Sequence, residues 1–189
     1  MLSDHDFVTL NAIYLKKMAS AEAIAEVVGL PGETVSERLS VAADAGWILS
    51  MPSGMMLLEG GTEAVLAHYR EAYAAVRANP AVVTWYEHFE TVNARFIALV
   101  TEWQQTEGDE RVERRLLQTA ERLKRDIGNL VPLIPRYDAY MHRFERSMDL
   151  VDQGQRDYVC KPTIDSVHNI WFEFHEDILA VLGRPRDTT

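Results

Sequence analysis

The chain has 189 residues, 47% of them hydrophobic and 25% charged, with a formal charge of −10 and a pI near 5.0. That length supports one or two globular domains with a sizeable core, and the acidic balance argues against broad affinity for nucleic acid. A single cysteine, Cys160, excludes an internal disulfide and a multi-cysteine zinc site. No apolar run approaches the roughly 20 residues that span a bilayer. The N-terminus MLSDHDF is acidic where a secretion signal is basic, so the expectation is a cytoplasmic protein with no membrane partner.

Phe7, Leu10, Ile13, Tyr14 and Leu15 give one apolar side and predict a helix over residues 5–18. In residues 20–48, Ser20 caps a second helix, and Glu22 sits at the positive end of its dipole. Ala21, Ile24, Ala25 and Val28 form its apolar face. Gly29 stops that helix, and Leu30-Pro31-Gly32 makes a turn. A third helix starts near Glu33, turns Val35, Leu39, Ala42 and Ala43 inward, and ends at Gly46. Two strands follow, Trp47–Ser50 and Met55–Leu58, with the turn residues Pro52-Ser53-Gly54 between them. Gly60-Gly61-Thr62-Glu63 closes the hairpin and opens a helix to about Val76. Three helices, a hairpin and a helix in this order predict a winged helix-turn-helix over residues 1–78.

Asn79-Pro80 marks the domain boundary, and residues 79–189 read as a helical domain for dimerisation and regulation. Trp85, Phe89, Val92, Phe96, Leu99 and Trp103 step by four and three, a heptad-like seam too apolar to face water. Glu107-Gly108-Asp109 breaks it. Leu116, Ala120, Leu123, Ile127 and Leu130 repeat the pattern before Pro132 and Pro135. Tyr137, Tyr140, Met141, Phe144, Met148 and Val151 mark the next helix, closed by Gln153-Gly154. A linker through Lys161-Pro162 leads to a last helix over residues 163–182, with Ile164, Val167, Trp171, Phe174, Ile178 and Val181 inward. The fold class expected is therefore mostly α, a winged helix followed by a helical bundle or a dimerisation arm.

Thr34, Ser36, Arg38 and Ser40 are the candidate DNA-binding residues, with Arg38 able to reach guanine and the hydroxyls able to hold phosphates. The electrostatics oppose them. Residues 1–70 carry four basic side chains against nine acidic ones, a net −5, and the wing tip Met51-Pro52-Ser53-Gly54-Met55 has no cation. The alternative is that this winged helix contacts protein instead of DNA. In the last helix His168, Phe172, His175 and Leu179 form a second stripe beside the core seam. His168 and His175 lie about 10 Å apart along the axis, too far to chelate one metal from a single helix. A metal or ligand site needs further groups, and Glu173 with the i,i+4 pair Asp138 and His142 are the candidates, Tyr137, Tyr140 and Trp171 walling the cleft. Histidines hydrogen-bonded to acids within the core are the competing expectation. Arg111, Arg114, Arg115, Arg122, Lys124 and Arg125 alternate with Glu110, Glu113, Glu121 and Asp126, the pattern of a solvated, salt-bridged face. No nucleophile elbow, phosphate loop or glycine fingerprint occurs, so neither enzyme activity nor a cofactor is expected.

Leu133-Ile134-Pro135-Arg136, the run Lys161-Pro162-Thr163-Ile164-Asp165-Ser166-Val167-His168, and Trp171-Phe172-Glu173-Phe174-His175-Glu176-Asp177 carry a resemblance. The chain resembles actinobacterial winged-helix, MarR-like regulatory proteins with a helical tail. It is also similar to the accessory region of pyruvate phosphate dikinase-like, phosphoenolpyruvate-utilising proteins, although the dikinase phosphohistidine and nucleotide-grasp segments are missing. The resemblance implies a regulatory part without activity of its own. The expected function is a homodimeric, DNA-binding transcriptional regulator sensing a small-molecule effector through its helical domain. The alternative is a non-DNA-binding regulatory or adaptor protein for a phosphoenolpyruvate-utilising enzyme.

Overall fold

A computed structural model describes residues 2–185, and the chain is mostly helical. The elements are α1 (Asp4–Lys16), α2 (Ala21–Val28), α3 (Gly32–Asp44), β1 (Ile48–Met51), β2 (Gly54–Leu57), α4 (Glu59–Ala72), α5 (Ala74–Arg77), α6 (Pro80–Gln105), α7 (Glu110–Gly128), a 3-10 turn (Pro135–Tyr137), α8 (Asp138–Asp152), α9 (Asp157–Cys160) and α10 (Val167–Leu182). Among the described residues no helix is long and apolar enough to cross a membrane. The described residues divide into two compact units: one comprises residues 2–77 and 179–185, and the other is Ala78–Ile178.

In the first unit local chemistry sets the helix ends. Ser3 caps α1 by accepting from the Asp6 N–H at 3.1 Å, and Ser20 caps α2 by accepting from the Ala23 N–H at 3.2 Å. Gly29 closes α2 in the left-handed region at φ 66°. The three helices bury Phe7, Leu10, Ile13, Ile24, Val35 and Leu39 in one core. Across it the Tyr69 hydroxyl donates to Asn11 Oδ1 at 2.8 Å, which satisfies two buried polar groups that would otherwise each cost about 1–3 kcal/mol. Trp47, expected to begin the first strand, instead finishes α3, because its N–H donates to the Ala42 carbonyl at 2.9 Å. The antiparallel register pairs Ile48 with Leu57, Leu49 with Met56, Ser50 with Met55 and Met51 with Gly54. Met55 also exchanges backbone hydrogen bonds with Ala19, at 3.1 and 2.8 Å, so β2 is paired on both edges. The glycines after the hairpin lie inside α4 instead of ahead of it. A Cβ at Gly61 would stand 2.3 Å from the Trp47 carbonyl oxygen, so close backbone approach is what requires glycine there.

The second unit stacks α6 against α7 and α7 against α8. Asn79 and Asp109 cap α6 and α7 through their side-chain oxygens. The buried face of α6 is Val82, Tyr86, Phe89, Asn93, Phe96, Leu99 and Val100. Trp85, Val92 and Trp103, placed in the seam by spacing, are half-buried at its flank. The seam is covered within the unit: Phe96 stacks on Trp171 of α10 with centroids 3.7 Å apart and planes 2° from parallel. Phe89 packs edge-on against Phe174 at 5.7 Å. The homodimer expectation therefore loses the exposed seam on which it rested. The last helix begins at Val167 instead of residue 163. Ser166 accepts from the Asn169 N–H at 3.3 Å, and the Asn169 amide donates to the carbonyls of Pro162 and Ile164 at 2.8 and 2.7 Å. The segment before α10 is thus tied into a loop by the helix's own first turn.

Candidate functional site

Two places in the molecule gather the residues that sequence reasoning singled out: the solvent face of α3 with the hairpin in the first unit, and the polar groups of α8 and α10 in the second.

On α3 the buried stripe Val35, Leu39 and Ala42 turns the opposite side to solvent. That exposed side carries Glu33, Ser36, Glu37, Ser40, Val41 and Asp44. Of the four candidate DNA-binding residues, Ser36 and Ser40 are exposed, while Thr34 and Arg38 are half-buried. Arg38 is the only cation in α3, and its Nη1 donates to the backbone carbonyl of His5 in α1 at 3.1 Å. The same carbonyl also accepts from the Thr9 hydroxyl at 3.1 Å, and the bond holds the guanidinium against its own unit. Three carboxylates, Glu33, Glu37 and Asp44, are exposed on this helix against the single half-buried guanidinium. In the hairpin, side chains alternate between faces. Ile48 is buried on one face, and Leu49, 44% exposed, stands on the other with its cross-strand partner Met56.

In the second unit two arginines, three carboxylates and two tyrosines form one buried network. Arg136, in the 3-10 turn, grips the fully buried Asp177 with both terminal nitrogens, one of them 2.5 Å from Oδ1. The hydroxyls of Tyr137 and Tyr140 donate to the same carboxylate at 3.2 and 3.0 Å. Arg143 of α8 donates to Asp165 at 2.8 and 2.5 Å and to Glu173 at 2.5 Å. Burial alone would lower the Arg143 pKa, but Glu173 and Asp165 outweigh it and keep the guanidinium charged. Burial, and then the Asp177 charge, push the Tyr140 hydroxyl well above its ordinary range, so it remains a donor. With each carboxylate engaged by a guanidinium or by hydroxyl donors, the network fastens the 3-10 turn and α8 to α10. Such a buried ion cluster is costly to break and well suited to fixing one arrangement of helices.

The ligand or metal candidates do not converge. Glu173 belongs to the Arg143 network. His175 Nε2 lies 3.2 Å from Glu90 Oε1 and 3.4 Å from the Tyr86 hydroxyl, both on α6. His168 packs near Phe96, and burial lowers its pKa. Asp138 and His142 pair with each other at 3.3 Å on the exposed side of α8. Tyr137, Tyr140 and Trp171, expected to wall a cleft, are fully packed: the tyrosines bind Asp177, and the Trp171 indole donates to Asn93 Oδ1 at 2.9 Å. Among the described residues no group of three or more His, Cys, Asp or Glu side chains is placed to hold a metal. A cavity of about 230 Å³ does open between α6 and α7, walled by Trp85, Phe89, Val92 and Leu123 with Asp126 and Asn129.

Sequence reasoning missed Arg136, Arg143, Asp165 and Asp177 as a unit. The available signal was the i,i+4 pair Glu173 and Asp177 in a helix whose other positions are largely apolar. Two buried acids on such a helix require cations or hydrogen-bond donors to meet them. Compared with known proteins, the chain matches no family model, no curated protein and no solved structure.

Proposed function

We propose that the first unit is a winged helix that contacts protein, and that the chain is a non-DNA-binding regulatory or adaptor protein. The order α1-α2-α3-β1-β2, with Ala19 pairing beside β2, supports the winged-helix reading. The observation that carries the functional reading is the Arg38–His5 hydrogen bond. It ties the one cation of α3, half-buried, to α1, while Glu33, Glu37 and Asp44 stand exposed, and carboxylates repel a phosphate backbone. The second unit, locked by its Arg–carboxylate network, is the regulatory body that presents this module. The cavity between α6 and α7 is the place for a small effector. The reading assigns no reaction and no cofactor to the chain. The resemblance of the C-terminal run adds a phosphoenolpyruvate-utilising enzyme as the class of partner.

The DNA-binding reading retains one favourable observation, the exposure of Ser36 and Ser40 on α3, and the homodimer belongs to it. Site-specific photocrosslinking in cells separates the two. A photoreactive residue in place of Ser40 is expected to give a protein adduct with no enrichment of any chromosomal fragment. Reproducible enrichment of one DNA locus would return the chain to the regulators of transcription.

A further inference from the structure

We propose that the cavity between α6 and α7 binds a small aromatic amine, with its ring against Trp85 and its ammonium group at Asp126. The inference rests on the effector reading of that cavity and names the class of effector. Trp85, His88, Phe89 and Val92 stand at i, i+3, i+4 and i+7 of α6, so one face of that helix supplies one wall. Leu123, Asp126 and Asn129 come from the last turns of α7 and its C-cap. Phe89 and Leu123 are buried and form the floor, Trp85, Val92 and Asp126 are half-buried, and His88 and Asn129 are exposed at the rim. The space is about 230 Å³. An apolar cavity of ~150 Å³ takes benzene, so a bicyclic ring with a short side chain is the size that fits here.

The aromatic wall is set before any ligand arrives. The Trp85 indole N–H donates to the Asp126 backbone carbonyl at 3.0 Å, and its ring lies 5.6 Å from that of Phe89 with planes 7° from parallel. A ring fixed in this way need not be ordered on binding. Its one donor is also occupied, so it meets a ligand through its π surface, which favours a second aromatic ring or a cation. Charge then excludes an anion. Asp126 is the one carboxylate on the wall, and no Lys or Arg is among the described residues that line it. Among the described residues nothing forms a hydrogen bond or ion pair with the Asp126 carboxylate. Its neighbours Arg122 and Arg125 line a separate groove between α7 and α8, beside Glu145 and Asp149. The wall also includes the last turn of α7, where the helix dipole presents its negative end. Both features attract an ammonium group and repel a carboxylate or a phosphate.

The test uses the full chain and three probes that share one bicyclic ring: tryptamine, indole and indole-3-propionate, compared by isothermal titration. Tryptamine is expected to bind at least about tenfold more tightly than indole-3-propionate, with indole between them. Val92→Phe fills the cavity from its half-buried wall and should abolish tryptamine binding. Asp126→Asn keeps the backbone carbonyl that holds Trp85, so it should leave the fold intact and bring tryptamine to the affinity of indole. That second variant carries the test if Val92→Phe does not fold. Equal affinity for the three probes, tighter binding of indole-3-propionate, or a tryptamine preference that survives Asp126→Asn would overturn the amine assignment and leave the cavity as an effector site. Tryptamine binding unchanged in a folded Val92→Phe would place the ligand elsewhere and overturn the proposal. No binding of any of the three, in a cavity with room for their common ring, would defeat the effector reading itself.

Discussion

Arg143 Nη2 lies 2.5 Å from Glu173 Oε2, and the same guanidinium reaches Asp165. One buried cation therefore ties α8 both to α10 and to the loop that leads into it. Removing it strands two carboxylates in a water-poor site, the situation in which loss of one partner costs about 3–5 kcal/mol. Arg143→Met, which keeps much of the volume, is expected to destabilise the chain by about that amount in urea unfolding. A loss below about 1 kcal/mol would show that the network is a peripheral ornament of the second unit.

Trp171 contributes in two separable ways. Its ring stacks on Phe96, and its indole N–H donates to Asn93, which is itself buried. Trp171→Phe retains an aromatic ring and leaves Asn93 Oδ1 without that donor, a cost of about 1–3 kcal/mol. Trp171→Ala removes the ring as well and should cost about 3–5 kcal/mol. Thermal unfolding of the two variants is expected to preserve that order. Equal losses would mean the stack with Phe96 contributes nothing beyond the hydrogen bond.

His168 gives a pH dependence of defined sign. Burial lowers its native pKa, so the unfolded chain, titrating near 6.5, binds the proton more readily. The histidine's contribution is full above about pH 6.5 and is lost as the pH falls through the native value. The difference in unfolding free energy between wild type and His168→Gln should therefore shrink on acidification from pH 7.5 toward pH 5. A difference that grows on acidification would mean His168 gains an acidic partner on folding.

How much of this could be read in advance follows from the range of each interaction. Ser20, Gly29 and the hairpin turn act within a few residues of themselves, and the elements they delimit were legible to within one or two positions. The α6 seam was legible as apolar but not in its facing. Tyr86 and Asn93 are buried and Trp85 and Trp103 half-exposed, because the stripe that meets α7 and α10 is chosen by packing and not by hydropathy. Arg38, Arg136 and Arg143 find partners 33, 41 and 22 residues away. Only the fold brings those together, so the contact of Arg38 with α1 had no signal in the sequence. The Glu173–Asp177 spacing could have announced the buried network, while the arginines that answer it could not have been chosen.

The most direct measurement is retardation of DNA fragments from the chain's own locus, by wild type and Arg38→Ala, at about 50 mM salt, where phosphate contacts are strongest. If Arg38 serves the fold through His5, neither protein retards any fragment, and Arg38→Ala unfolds more readily by about 1 kcal/mol. If the wild type retards a fragment and Arg38→Ala loses that binding with its stability intact, Arg38 reads DNA and the protein-contact account is contradicted.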